Sequence, residues 1–408
     1  MKTRRIVIAG GGAAGFFAAI AAAETDPRAE VVLLERGSRF LGKVKISGGG
    51  RCNVTHACFD TSELSEHYPR GRRELRAAFH HWQPRDTMAW FEQRGVALKT
   101  EEDGRVFPVS DDSQTVIDCL LAAARDAGVR LETRRPVESV EQIPRGFILR
   151  ASGGDEFPAD RVMLAPGSLK NSPLLESLQA LGHSIEPLAP SLFALNVKDP
   201  RIQDLAGISV PSTRVGLPPG GRPQSGPLLI THRGVSGPAV LKLSAWEARR
   251  FQELDYRGEI ALSWLGDSGP DDVRALLDGQ RESQGRRAVK NAPVPRLPAR
   301  LWERLVSAAG VPSDLPWARL SRNQANALLG QLTDARFAVS GKTMNKEEFV
   351  TCGGVRLREV DFRTMESRVV PGLHFGGECL DLDGVTGGFN FQAAWTTGRL
   401  AGLALAKE

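Results

Sequence analysis

The apolar run Ile6-Val7-Ile8-Ala9 leads straight into Gly10-Gly11-Gly12-Ala13-Ala14-Gly15, and this G-x-G-x-x-G junction restricts the chain more than any other feature. An alanine-rich helical pattern follows, and a second apolar run, Val31-Val32-Leu33-Leu34, ends in Glu35. Each position has a physical reason. Gly10 permits the tight turn out of the strand, Gly12 lets the backbone approach a pyrophosphate, and Gly15 lets the helix pack on the strand. The phosphates then sit at the positive helix N-terminus, where Ala13 and Ala14 form the first turn. An acid about twenty residues on accepts the hydroxyls of an adenosine ribose. Strand, glycines, helix, strand and acid in one unit predict an α/β fold of the dinucleotide-binding type.

At 408 residues the chain exceeds a single core, so two or three domains are expected. Its formal net charge of +5 permits an anionic ligand or nucleic acid without requiring either. Clusters such as Arg70-Gly71-Arg72-Arg73 and Arg286-Arg287 read more readily as solvated faces than as binding patches. Five cysteines, at 52, 58, 119, 352 and 379, form no C-x-x-C pair. That spacing suggests neither a disulfide framework nor a metal site, and fits a reducing cytoplasm. Lys2, Arg4 and Arg5 ahead of an apolar stretch resemble a leader, but cleavage there would remove the phosphate loop, which favours the nucleotide reading. No stretch is long and apolar enough to cross a membrane.

The pattern along the chain predicts interruption. A helical stretch at about 74–94 breaks near Pro84, and Asp112 or Ser113 caps a helix that ends by Gly128. Val137–Ile143, Phe147–Ala151 and Glu156–Ala165 read as three strands joined by tight turns, with the final run Arg161–Ala165 buried and parallel. After residue 190 the composition shifts. Residues 191–267 show short alternating runs, at Leu192–Val197, Leu228–Thr231 and Glu259–Trp264, expected to form a small antiparallel sheet or barrel. Residues 268–333 turn helical, with Ser268 or Asp271 as cap. Strand-like runs return at Arg336–Ser340 and Phe349–Thr351, Leu373–Phe375 is a short strand, and Asn390–Ala406 is an amphipathic helix. The expected division is a nucleotide domain over 1–190, a barrel over 191–267 that returns at 334–345, a helical insert over 268–333, and completion of the nucleotide domain over 346–408.

Three further glycine clusters carry chemistry. Ser47-Gly48-Gly49-Gly50-Arg51-Cys52-Asn53 offers backbone amides to a phosphate or to the edge of a flat ring. Gly376-Gly377-Glu378 places a carboxylate where ribityl hydroxyls can donate. Gly387-Gly388-Phe389-Asn390 opens a helix whose positive end stabilises the anionic edge of a reduced flavin. Two nucleotide-like sites from distant segments suit FAD. A plain NAD-dependent dehydrogenase would leave the second set unexplained.

The segments IVIAGGGAAG, GKVKISGGGRCNVT, EDGRVFPVSDDSQTVID, LLITHRGVSGPAVL and TCGGVRLREVDFRTMESRVVPGLHFGGECLDLDGVTGGFNFQAAW together resemble the HI0933-like (YhiN) family of bacterial flavoproteins. Some members bear names such as aminoacetone oxidase family or NAD(P)/FAD-dependent oxidoreductase. The resemblance runs nearly end to end and implies an FAD-binding Rossmann-like domain of the two-dinucleotide-binding type, interrupted by a β-barrel that itself carries a small helical insert. Carried over by position, it implies that Gly10, Gly12, Ala13, Ala14 and Gly15 serve the pyrophosphate and Glu35 and Arg36 the adenosine. Val137 offers its backbone to the adenine. Lys43, Ser47, Gly49, Gly50, Arg51, Cys52 and Asn53 line the ribityl and ring region. Gly377 and Glu378 meet the ribityl chain, and Gly388, Phe389 and Asn390 the pyrimidine edge. The segment Ala165-Pro166-Gly167-Ser168 stands where the family usually has A-T-G-G, and its proline removes an amide donor, which puts the contacts of Ala165 and Gly167 in question. His56 stands where asparagine is common.

The expected activity is FAD-dependent oxidation or reduction of a small molecule, with FAD non-covalently held and electrons exchanged with NAD(P)H or oxygen. No second G-x-G-x-x-G occurs in residues 190–345, so NAD(P)H docks transiently or the substrate itself donates. Catalytic side chains are not evident; Cys52 and His232 are the candidates, each weighed against a structural role. The alternative is a flavin-bearing protein that binds or modifies RNA, supported by the basic charge and weakened by having only two tyrosines for base stacking.

Overall fold

The computed structural model describes residues 3–343 and 350–407. Lys2 of the basic N-terminal cluster, Phe349 of the second strand-like run and the 345/346 boundary lie outside them. The chain divides into two compact units, residues 1–189 with 346–408, and residues 190–345.

The first unit is built on a seven-stranded sheet. Strand β1 (Arg5–Ala9) passes through helix α1 (Ala13–Thr25) to β2 (Glu30–Leu34), which lies parallel beside it. Ile6, Val7, Ile8, Val31, Val32 and Leu33 are buried on both faces, as a helix-covered parallel sheet requires. Arg130–Glu132 extends the sheet beyond β2; on the other side Arg161–Leu164 pairs with β1 and Leu373–Phe375 with Arg161–Leu164, all parallel. Glu156–Ala165 is therefore not one strand. It breaks at Asp160, whose carboxylate accepts from the Arg5 amide at 2.8 Å; Glu156–Ala159 stays in an antiparallel meander with Val137–Ile143 and Gly146–Ala151.

The C-terminal helix runs from Phe389 to Ala406 and is not amphipathic: Phe389, Gln392, Ala393, Trp395, Thr396, Thr397, Leu400, Ala401, Ala404 and Leu405 are buried around its circumference. It packs on α1 at backbone distance. A Cβ on Gly398 would lie 2.3 Å from the Ala14 carbonyl oxygen, and one on Gly402 would lie 2.3 Å from that of Ala18. These successive contacts make the two helices run in the same direction.

The second unit is a closed six-stranded barrel, in the order Ala194–Val197, Gly234–Ser236, Gln224–Thr231, Ser209–Gly216, Gly258–Ser263, Ala335–Thr343. Leu195, Val215, Leu228, Ile230, Ile260, Leu262 and Phe337 alternate inward to form its core. Helices Pro270–Gln284, Ala299–Ala308 and Arg322–Thr333 stand between the last two strands. Neither Ser268 nor Asp271 caps the first of these. Gly269 does, its amide donating to the Asp272 carboxylate at 2.9 Å.

Candidate functional site

The turn between β1 and α1 uses its glycines in three different ways. Gly10 has φ +118°, and a Cβ there would lie 2.1 Å from the Ala165 carbonyl oxygen. A Cβ on Gly15 would lie 1.9 Å from the Gly10 carbonyl oxygen, so helix and turn touch backbone to backbone. At Gly12 a Cβ would meet nothing within 4 Å. Gly12 is also the residue before α1, and no side chain caps that helix end. The orphan amides of the first turn at Ala13 and Ala14 therefore adjoin open space, which fits a pyrophosphate.

Glu35 sits beside this cradle. Its two carboxylate oxygens accept from the Gly11 amide at 2.9 Å and the Gly37 amide at 2.7 Å. An ionised carboxylate offers about four acceptor positions, so roughly two remain for a ribose diol. Arg36 is exposed. The Arg134 and Arg135 amides donate to the Gly37 and Glu35 carbonyls, each at 2.8 Å, which brings the start of the meander at Val137 alongside. Ala165 is committed to the sheet and to Gly10; Gly167, at φ +77°, follows, and Ser168 donates to Thr351 at 2.9 Å.

A second cradle forms from distant segments. Gly49 and Gly50 have positive φ and meet nothing within 4 Å at their Cβ positions. Lys43 pairs with Glu378 at 2.5 Å, while the other Glu378 oxygen accepts from the Thr351 amide at 2.9 Å. The remaining side chains of the loop are turned to structural work. Ser47 donates to the Val44 carbonyl at 3.0 Å. The Arg51 guanidinium is taken up by Glu101 at 2.7 Å and lies 3.9 Å from the Phe107 ring centroid. Cys52 is fully buried at φ +63°, and burial pushes its thiol up to about 12. A thiol so buried and protonated is a poor nucleophile, which supports a packing role for Cys52. His232 is exposed in the barrel turn between Thr231 and Gly234.

The ring-edge helix begins at Gly388, φ +95°, with no side-chain cap. The glycine is demanded by packing: a Cβ would lie 2.5 Å from the Thr55 carbonyl oxygen. Asn53, oriented to satisfy its neighbours, donates to the Thr55 carbonyl and accepts from the Gly388 amide at 3.0 Å. The Asn390 side chain does not point outward from the helix mouth; it holds both the amide and the carbonyl of Gly384, at 2.9 and 2.8 Å. Phe389 stacks on His56 and His67 at 4.5 and 4.2 Å between centroids, and His56 Nδ1 lies 3.0 Å from the Gly387 carbonyl oxygen. The open groups of this mouth are thus backbone amides, with Gly377 and Glu378 nearby in the chain.

Two relationships were not read from the sequence. Arg70 forms an ion pair with Asp383, within the loop that joins Glu378 to Gly388. The Gly398 and Gly402 contacts fix the two helix mouths in register; the G-x-x-x-G spacing of those residues, opposite an alanine-rich helix, is the signal that carries them. Ala14 lies against Gly398, so the mouth at Phe389 extends about eight residues, roughly 12 Å at 1.5 Å per residue, beyond that at Ala13.

Residues 4–404 match the family described as "HI0933-like protein Rossmann domain". The chain is 31% identical over 377 residues to the ribosomal RNA dihydrouridine synthase of Escherichia coli, covering 90% of each chain. It is 30% identical over 414 residues to the 3-dehydro-bile acid delta(4,6)-reductase of Clostridium scindens, covering 99% of each. A crystal structure of 3-ketosteroid-delta4-(5alpha)-dehydrogenase from Rhodococcus jostii, in complex with 4-androstene-3,17-dione, matches with a TM-score of 0.50 and 16% identity, over 99% of this chain and 97% of that one. That likeness is one of fold.

Proposed function

The chain belongs to the HI0933-like Rossmann-domain family, and on that premise we propose that it is an FAD-dependent reductase of a carbon–carbon double bond conjugated to a carbonyl. The observation that carries FAD over a mononucleotide is the pair of uncapped helix mouths, facing the same way and offset by about 12 Å. One mouth suits a pyrophosphate and the other an anionic ring edge, with the Lys43–Glu378 pair and the Gly49-Gly50 loop proposed to line the stretch between them. FAD, when bound, supplies a two-electron hydride donor after reduction by a nicotinamide.

The reaction class follows from the names of two relatives. Making dihydrouridine saturates a ring double bond conjugated to a carbonyl, and a delta(4,6) unsaturation in a 3-dehydro compound is likewise conjugated to its ketone. The protein's part is to hold the reactive ring, to stabilise negative charge at its edge through the Phe389 and Asn390 amides, and to seat the substrate carbonyl. The excess of cations favours a uracil base within RNA over a free ring enone.

The test is spectroscopic. Purified protein should be yellow and release FAD on denaturation. Anaerobic reduction by NADH or NADPH, then addition of cyclohexenone or of uridine-rich RNA, should restore the oxidised spectrum. A protein that carries FAD but is reduced by primary amines and reoxidised only by oxygen would replace this reading with an oxidase.

A further inference from the structure

The positive charge of the chain is not spread evenly. Residues 190–345 carry 21 Lys and Arg against 14 Asp and Glu, whereas the rest carries 32 against 34. The whole excess therefore lies in the inserted unit, and within it the distribution is again uneven. Arg286, Arg287, Lys290, Arg296, Arg300, Arg304, Arg319 and Arg322 have no ion-pair partner among the described residues. In the first unit Arg51, Arg70, Arg94, Arg105, Arg130, Arg135, Arg150 and Arg356 pair with carboxylates, and its acids outnumber its Lys and Arg.

Backbone pairing brings several of the unpaired cations together. The Trp317 amide donates to the Arg287 carbonyl and the Ala318 amide to that of Gly285, both at 3.0 Å, and the Val289 amide to Leu315 at 2.9 Å. Segment 285–289 thus lies against 315–318, and Arg286, Arg287 and Arg319 are exposed along that seam. Its underside is anchored: Trp302 stacks on Trp317 at 6.0 Å between centroids and donates to the Val289 carbonyl at 2.7 Å. Asp278, Glu282, Glu303 and Asp314 are the acids between residues 278 and 322. Asp278 approaches Arg281, at 3.9 Å, and the other three make no ion pair among the described residues. None of these guanidinium groups is neutralised by a carboxylate among the described residues, and Arg287 is held in place by hydrogen bonds to Gln284 Oε1 at 3.1 Å and the Asn291 carbonyl at 2.7 Å; such a ridge of uncompensated charge matches a phosphate backbone, because guanidinium binds phosphate bidentately and needs no base contact.

We propose that the seam carrying Arg286, Arg287 and Arg319 is an RNA-docking surface that grips the phosphate backbone of a folded RNA. This rests on the reading of the substrate as a base in RNA. It assigns recognition to the inserted unit, separately from the Rossmann unit that would hold the flavin.

The experiment uses the full-length flavin-loaded protein and a fluorescent uridine-rich ribosomal RNA hairpin, titrated over a range of salt. Replacing Arg286→Gln, Arg287→Gln and Arg319→Gln together should weaken binding at least tenfold. It should also flatten the slope of log K against log salt by about 2 to 3, since each lost phosphate contact contributes roughly 0.7–0.9. The same triple change at Arg73, Arg76 and Arg85, exposed on the first unit, removes equal charge and should leave most of the affinity. Equal losses in both variants, or none in either, would overturn the proposal. So would retention on phosphatidylserine vesicles that the hairpin fails to compete away. Reoxidation of the reduced protein by cyclohexenone is measured in parallel. Hairpin binding through the seam with no reduction of any conjugated double bond would remove the reductase reading and leave the docking surface standing.

Discussion

Arg70 grips Asp383 with both arms of its fork, Nε to Oδ1 and Nη2 to Oδ2, and buries the carboxylate completely. The two residues are 313 positions apart. Asp383 lies in the loop between the second cradle's Glu378 and the ring-edge Gly388, just ahead of the Gly384 that Asn390 clamps. The pair therefore ties an early loop to the part of the late chain that shapes the candidate ring site.

Removing one partner strands the other charge in a buried place. Asp383→Ala should cost roughly 3–5 kcal/mol, read as a fall in the urea midpoint, and the double change Arg70→Met with Asp383→Leu should recover part of it. A cost under about 1 kcal/mol in the single variant would mean that water reaches the pair.

The three glycines of the first turn should separate by phenotype. Gly15→Val and Gly10→Val drive a side chain into backbone atoms 1.9 and 2.1 Å away and should prevent stable folding. Gly12→Val meets only open space, so the protein should keep its thermal midpoint while losing FAD. Flavin content per folded protein decides it, and full flavin in Gly12→Val would move the pyrophosphate elsewhere.

Gly388→Val should damage the fold rather than the flavin potential alone, because the new side chain would strike the Thr55 carbonyl at a positive-φ position. Asn390→Ala should free Gly384 and cost on the order of 1–2 kcal/mol for two lost hydrogen bonds. A soluble, fully stable Gly388→Val would contradict the packing role.

Acid should unfold the first unit through His374. It is fully buried, and burial pushes its pKa down to about 4, from the 6.5 of an exposed imidazole. The unfolded chain binds the proton more readily, so stability is full above pH 6.5 and is lost as pH falls toward 4, by roughly 3 kcal/mol. His183, also lowered by burial, acts in the same direction. His374→Met should flatten this limb of a stability–pH curve; an unaltered limb would assign it to other groups.

Cys52 should resist iodoacetamide in the native protein at pH 8, and Cys52→Ala should keep flavin turnover within a few-fold. Loss of turnover with flavin retained would return the thiol to the reaction.

The Rossmann start was legible because its turn is local: Gly15 answers to the Gly10 carbonyl five residues back and Gly12 opens the helix mouth, whereas the demand on Gly10 by Ala165 comes from a strand that spacing does not reveal. The barrel was legible only in outline. Its strand Ser209–Gly216 contains a proline and ends beside a Pro-Pro pair, and Gly234–Ser236 is only three residues long, so neither shows a clear period of two. The break at Asp160 depends on a hydrogen bond to Arg5, and the turning of Asn390 and Arg51 toward Gly384 and Glu101 depends on partners that spacing does not reveal. The C-terminal helix looked amphipathic because glycine and threonine count as polar in a pattern, although here Gly398 and Thr397 are buried against other elements.

The contact of Gly398 and Gly402 with Ala14 and Ala18 also sets an order of events during synthesis. The first helix leaves the ribosome hundreds of residues before the helix that covers it, and the strand Leu373–Phe375 is nearly as late. Throughout translation of the inserted unit, the nascent chain displays an uncovered alanine face and an unfinished sheet edge. The barrel, whose strands are all made by residue 343, is complete first. Closure of the nucleotide domain therefore waits for the helix Phe389–Ala406, and a ribosome stalled before that helix emerges would hold a finished barrel beside an open Rossmann half.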